Sequence, residues 1–341
     1  DGTRGANGAV PATLKTRAPR STQTERFKRA LARTVKVELH MKITTKEPNT
    51  DRLHRFTFEN LPIRGQWVRL TQTVAAANAV RSYPTEINHL LSQMFAAAAL
   101  FADNLKFEGA VALQSRGQGK LIRTLAECRE QKFLRGIAHL SEDKPAPKQA
   151  DNLCAWFENG QLALSLVPPE GSQQAPYQGF VPLEQPTLAL NLETYLKNSE
   201  QISSRLFLAN TDESVTGLII QRLPSKDGAT EINAAADEEA WHTIVTLAET
   251  ISDTELVTLE PSELLIRLFA EFPCRIHPPR ELGYKCTCSR DKSDRTLRML
   301  APAEIKSLLD ELGSIDVDCE FCGTRYSYDA VDVDQLHRTH A

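Results

Sequence analysis

Pro84-Thr85-Glu86-Ile87-Asn88-His89-Leu90-Leu91-Ser92-Gln93-Met94-Phe95-Ala96-Ala97-Ala98-Ala99-Leu100-Phe101 decides the fold of this chain. Proline presets the backbone for a first helical turn, and Ile87, Leu90, Leu91, Met94, Phe95 and Ala98 then recur every three to four residues. A long helix with such an apolar stripe needs a sheet to cover it. Strand-like runs stand on both sides of it. Upstream are Arg55-Phe56-Thr57-Phe58 and Trp67-Val68-Arg69-Leu70. Downstream are 109–114, 120–127, 133–139 and 153–167, the last broken by the hairpin signal Asn159-Gly160, and then 177–183, 205–209 and 218–223. A second helix is expected over 188–199. The pattern predicts an α+β domain over 47–224, one antiparallel β-sheet with packed helices.

Farther out, composition sets limits. With 341 residues, 41% apolar and 25% charged, the chain can bury one large core and a smaller satellite. The longest apolar candidate, around Met94 to Phe101, falls short of the ~18 residues a membrane span needs, so a soluble cytoplasmic protein with no membrane partner is expected. Residues 1–46 read as a disordered extension. The first forty carry nine Lys/Arg against three Asp/Glu. Such a leader resembles an organelle transit peptide, but Met41-Lys42-Ile43 just before the first strand favours an upstream extension. Without those forty the chain holds 31 basic and 41 acidic residues, a net charge of −10. That balance argues against general nucleic-acid affinity.

Leu223-Pro224-Ser225-Lys226-Asp227-Gly228 is a turn-rich boundary, and 225–280 reads as a helical linker. Trp241, Ile244, Val245, Leu247 and Ile251 share one helix; Pro261 starts another with Leu264, Leu265, Leu268 and Phe269. Neither is long enough to stand alone. Their apolar faces form a conditional surface, hidden when docked and available when released.

The last segment, 281–341, is read as a small C-terminal zinc domain with four cysteine ligands. Cys286-x-Cys288, thirty residues and Cys319-x-x-Cys322 bring four thiols in two tight pairs, the donor set of a tetrahedral Zn²⁺ site with one ion per chain. Gly323 can take the positive φ that turns backbone N–H groups toward thiolate. Between the pairs, Ala301-Pro302-Ala303-Glu304 opens a helix with Ile305, Leu308, Leu309 and Leu312, and Gly313 ends it. Cys274-x-x-His277 and His337-x-x-His340 read as incidental, since four thiolates already fill a tetrahedron. Cys128, Cys154 and Cys274 read as small buried hydrophobes.

No catalytic pattern is visible. Gly117-x-Gly119 lacks the helix and lysine of a phosphate loop. His54, His89, His139 and His242 are scattered, so no enzyme activity is expected.

A piece of about sixty residues buries too little to fold securely, whereas structural zinc supplies on the order of 10 to 16 kcal/mol in small modules. Disulfides closing Cys286–Cys288 and Cys319–Cys322 would return only about 1.5 to 2 kcal/mol each. Oxidation should therefore unfold this end rather than stiffen it. Close thiolate pairs also resolve a sulfenic acid before damage becomes irreversible. The three possible disulfide pairings stay open.

These residues resemble the heat-shock protein 33 family of redox-regulated holdase chaperones. The resemblance rests on Lys285-Cys286-Thr287-Cys288-Ser289-Arg290 and Cys319-Glu320-Phe321-Cys322-Gly323. Landmarks in matching order extend it over about residues 50 to 335: Arg55-Phe56-Thr57-Phe58-Glu59-Asn60, Ile63-Arg64-Gly65, Leu105-Lys106-Phe107-Glu108-Gly109, Tyr177-Gln178-Gly179 and Ser199-Glu200-Gln201. It implies a substrate-binding and dimerising domain, a metastable linker and a zinc redox-switch domain. Cys286, Cys288, Cys319 and Cys322 would bind zinc when reduced and form redox-active disulfides on oxidation, activating a homodimer that holds unfolding client proteins without ATP.

The alternative is a zinc ribbon that binds nucleic acid through Lys285, Arg290, Lys292, Arg295 and Arg298, diluted by Asp291 and Asp294. A thiol–disulfide enzyme is disfavoured because CxxC does not open a helix in a βαβ unit.

Overall fold

Alternation of exposed and buried residues carries the chain through β1 (Arg52–Phe58), and the almost continuously buried β2 (Ile63–Leu70) follows before α1 (Gln72–Val80) and the long α2 (Thr85–Asn104). The computed structural model describes residues 51–104, 109–169, 171–224 and 231–338. The extension 1–46, the boundary residues 225–228 and the landmark residues 105–108 lie outside them.

A meander follows, β3 (Ala110–Arg116), β4 (Leu121–Arg129) and β5 (Phe133–Leu140), then α3 (Leu153–Phe157), β6 (Gln161–Val167), β7 (Tyr177–Pro182), α4 (Leu188–Ser199), β8 (Ser204–Asn210) and β9 (Val215–Arg222). These strands build two sheets, not the single one expected. β1, β2, β9 and β8 lie side by side in one, and β5, β4, β3, β6 and β7 in the other. The reason is in α2. Its stripe is only part of its buried surface, because Ala96, Ala97, Ala98 and Ala99 are also wholly covered. Side chains this small let strands approach from several directions, and α2 packs against β2, β8 and β9 of one sheet and β3, β4 and β5 of the other. The α+β class holds, with the main core wrapped around this helix.

The expected strand over 153–167 is a second correction. Asn152 caps a short helix by accepting from the Cys154 backbone N–H at 3.0 Å, and the chain reverses through Glu158 and Asn159, both at positive φ. The Asn159-Gly160 signal therefore turns a helix into a strand. Trp156 and Phe157 are buried, and Gln118 and Gly119 donate backbone N–H groups to the Phe157 carbonyl. The Gly117-x-Gly119 loop thus reads a helix end; a Cβ at Gly117 would lie 2.0 Å from that carbonyl oxygen.

Two landmarks prove to be close approaches. Phe56 pairs across the ladder with Gly65, and its ring occupies the space a Cβ at Gly65 would need. Gly179 makes room for Tyr195, whose hydroxyl donates to Glu200 at 3.1 Å. Each motif is a packing solution.

Beyond β9, α5 (Glu231–Ala248), α6 (Asp253–Thr258) and α7 (Pro261–Leu268) lie on the outer face of the first sheet. Phe56, Phe58, Ile63, Trp67, Leu218 and Ile220 of that sheet form one cluster with Trp241, Ile244, Leu264, Leu265, Leu268 and Phe269. Ser252 and Glu255 close a capping box that starts α6. The stretch read as helical to 280 ends in extended backbone instead. β10 (Cys274–Ile276) and β11 (Arg280–Glu281) pair with β1, and β12 (Gly283–Tyr284) runs parallel to β5. Eleven residues thereby strap one sheet to the other. The chain then enters α8 (Arg290–Leu297), α9 (Pro302–Leu312), the hairpin β13 (Ile315–Asp318) and β14 (Arg325–Tyr328), and α10 (Ala330–Arg338).

Candidate metal centre

Cys286 and Cys288 follow β12 in the irregular segment before α8, and Ser289, in extended backbone, caps that helix by accepting from the Lys292 N–H at 3.3 Å. The other pair sits in the turn joining β13 to β14. There Cys319 donates its N–H to the Thr324 carbonyl and Gly323 donates to the Cys319 carbonyl, each at 2.8 Å, with Gly323 at φ +69°. A ladder reaching to Asp318 and Arg325, reinforced by their ion pair at 2.7 Å, fixes the turn.

This folding brings all four sulfurs together. Cys286 Sγ lies 3.6 Å from Cys319 Sγ, Cys288 Sγ lies 3.3 Å from Cys322 Sγ, and all four fall within 4.8 Å of one another. Sulfurs at the corners of a tetrahedral zinc site stand about 3.8 Å apart, given bonds of about 2.3 Å. None of the four is disulfide-bonded, and each is half-buried. The donor set fits a soft or borderline divalent ion.

Electrostatics makes the same point. Burial pushes the Cys286 thiol up to about 12, with the neighbouring sulfurs adding to the shift. Burial also raises Cys319. Burial opposes ionisation of Cys322 too, but hydrogen bonds from the Thr324 hydroxyl and backbone, with those from Cys288 and Cys286, bring it down to about 7. Burial thus opposes charge on Cys286 and Cys319, while hydrogen bonds favour it on Cys322. Holding all four as thiolates takes a bound cation.

Around the cluster, Tyr326 donates its hydroxyl to Cys288 Sγ at 3.2 Å, and burial with the nearby Cys286, Cys322 and Cys319 raises Tyr284 to about 12. Tyr284 donates its hydroxyl to the Phe321 carbonyl. These residues stand close to the cysteines in sequence but belong to no ligand spacing pattern, so reading the chain alone missed them. Five buried apolar side chains, Leu297, Ile305, Ile315, Tyr328 and Val333, make the core of this module.

The remaining candidates stay apart. Cys128 and Cys274 are buried, and burial lifts each thiol to about 12. Cys154 is half-buried and donates to the Leu183 and Gln185 carbonyls. His277 meets Thr57 at 3.4 Å, away from the sulfurs. The His337 and His340 imidazoles lie outside the described residues. Among the described residues the four thiols are the only cluster of this kind, and no helix is long and apolar enough to cross a membrane.

Comparison with known proteins agrees with this architecture. The chain is 38% identical over 288 residues to a protein named 33 kDa chaperonin from Nitrosococcus oceani, covering 84% of this chain and 94% of that one. It is 37% identical to the 33 kDa chaperonin of Neisseria meningitidis serogroup A, over 83% of this chain and 90% of that one. The crystal structure of a 33 kDa chaperonin (heat shock protein 33 homolog) from Thermotoga maritima superposes with a TM-score of 0.71 at 22% identity, covering 84% of this chain and 98% of that one, so the fold is shared. The model of the family described as Hsp33 protein matches residues 51–329, and with these relatives it shows that the chain belongs to the Hsp33 family.

Proposed function

We propose that this protein is a redox-regulated, ATP-independent holdase chaperone, inactive when reduced and zinc-bound, that captures unfolding proteins once its thiols are oxidised. The observation that carries the reading is the set of four free sulfurs within 4.8 Å of one another, two residues past the strap that ties both sheets. Cys286, Cys288, Cys319 and Cys322 would hold one Zn²⁺, which supplies the positive charge that keeps four thiolates close. We assign 47–224 as the substrate-binding and dimerising domain, 225–280 as the linker and 281–341 as the switch. The protein acts in the cytoplasm and performs no catalysis.

Oxidation removes two electrons from each thiolate pair as one S–S bond forms. Peroxide accepts them as its O–O bond breaks and leaves as water. A module with five buried apolar side chains then loses the ligand set that holds it. Tyr284 releases the Phe321 carbonyl, Lys285 releases the Leu134 carbonyl and the Phe133 ring, the strap over 274–284 loosens, and α5–α7 lose the anchor at their C-terminal end. The outer face of the first sheet, with Phe56, Phe58 and Trp67, becomes available to apolar segments of clients.

The test is a zinc-release assay run beside light scattering of a thermally unfolding client, with oxidant as the only variable. Reduced protein should leave aggregation unchanged. Peroxide with mild heat should release about one zinc per chain, as one tetrathiolate site requires, and suppress aggregation at near-stoichiometric ratios. Unchanged zinc content after oxidation would end this reading.

A further inference from the structure

The turn between the second pair of thiols does more than carry ligands. Its Glu320 and Phe321 rest on the exposed face of β4 and β5, a surface outside the apolar cluster under α5–α7. The Arg135 guanidinium lies 4.3 Å from the centre of the Phe321 ring, and Glu320 Oε2 lies 3.6 Å from His139 Nε2 and 4.0 Å from Arg123. Arg135 is held ready for this by Glu127, whose buried carboxylate accepts from it at 3.0 Å. His139 also lines an open depression of about 520 Å³, where Arg81 and Lys120 outnumber Glu142. The seat is therefore a ring-binding guanidinium and an arginine that meets Glu320, with the recess adjoining them at His139.

The contacts that hold the turn there are weak. Glu320 is 57% exposed and Arg123 41% exposed, and ion pairs this long and wet contribute little. What keeps the dipeptide in place is its tether to a folded module, which raises its local concentration. Once that tether slackens, any segment of the same chemistry can replace it.

We propose that the Arg123–His139–Arg135 face is a recognition site for segments of unfolding proteins in which a carboxylate precedes an aromatic ring, and that Glu320–Phe321 is its resident occupant in the resting state. This rests on the release of the metal module proposed above. Charge complementarity selects the partner: the folded body is acidic, yet Arg123 and Arg135 meet the Glu320–Phe321 turn here, and Arg81 and Lys120 line the recess beside neutral His139. Two kinds of client contact follow, apolar ones on the first sheet and acidic-aromatic ones on the second.

The probe is a fluorescent hexapeptide copying residues 318–323 with Cys319→Ser and Cys322→Ser, titrated by anisotropy against the full chain. Three states are compared: reduced and zinc-loaded, stripped by a chelator, and oxidised by peroxide. The stripped chain should bind the probe at least about tenfold more tightly than the loaded one, the scale of one ion pair plus one cation–π contact. Probes carrying Glu320→Gln or Phe321→Ala should lose that gain. Arg123→Glu in the protein should weaken the parent probe and improve one carrying Glu320→Lys, with zinc content unchanged. Equal binding to loaded and stripped chains, indifference to both probe substitutions, or no binding to a stripped chain whose thiols titrate as free would overturn the proposal. So would displacement of the probe by an equal concentration of oligonucleotide, which would mark a general polyanion surface. Chelation frees the turn whether or not oxidation does, so binding to the stripped chain without binding to the peroxide-treated one would sink the switch and leave this site standing.

Discussion

At the scale of single residues, the sulfurs are positioned by neighbours that cost little and are replaced with difficulty. Cys319 has its backbone tied at both N–H and carbonyl, so substituting it removes a ligand without freeing the turn. Cys319→Ser should lower metal content to well below one per chain and raise protease cleavage over 231–284 without oxidant; metal titration and peptide mapping check this, and equal resistance in both proteins would argue against coupling. Asp103 is a different case. Its carboxylate is 1% exposed, with Arg280 of the strap at 3.0 Å and Arg55 at 3.7 Å. Arg280→Ala leaves a buried anion with one distant guanidinium and Gln66 for company. Removing one partner of a buried pair costs about 3 to 5 kcal/mol, and Arg280 is partly exposed, so the low end is expected. A fall in the denaturant midpoint, with zinc still bound, is the measurable result.

At the scale of elements, α7 shows how the docked segment is held. Glu260 and Glu263 form its capping box, Pro261 opens it, and Leu264, Leu265 and Leu268 are buried against the first sheet. Leu264→Ala should cost about 2 to 5 kcal/mol of that contact. The metal centre lies elsewhere, so hydrogen exchange should quicken over α5–α7 while the zinc stays bound, and aggregation of a client should be suppressed without oxidant. Retained zinc with no gain in capture would place the client surface away from this face. The β1–β2 ladder carries a stricter demand. A Cβ at Gly65 would sit 2.1 Å from Phe56 Cζ, so Gly65→Ala must displace a ring that is 1% exposed. Overpacking of this kind costs about 1 to 3 kcal/mol, read as a lower thermal midpoint.

At the scale of the whole molecule, a large core around α2 supports two smaller structures of unequal independence. The helices α5–α7 share a cluster with the first sheet, whereas the metal module buries five apolar side chains of its own. Stripping the metal should therefore melt the C-terminal module first and leave the α2 core intact. Circular dichroism after chelation should show partial loss of helix with a preserved main unfolding transition. A single concerted transition at an unchanged midpoint would contradict that order.

The sequence by itself determined the α+β class, the strands and two of the four described helices of the large domain, and the set of four thiols, because periodicity and ligand spacing are local; Gln72–Val80 carries no apolar stripe that announced it. Leu188–Ser199 falls where its apolar repeat predicts, and Gly313 and Gly323 take the positive φ expected of them. Only the tertiary structure decided that α2 is covered by two sheets, that 153–157 is helical, and that 274–284 runs as a strap between sheets. It also placed Phe321 under Arg135 and Glu320 beside His139. Such choices depend on which surfaces meet after the chain has closed on itself, and residues far apart in sequence leave no shared period to announce the meeting.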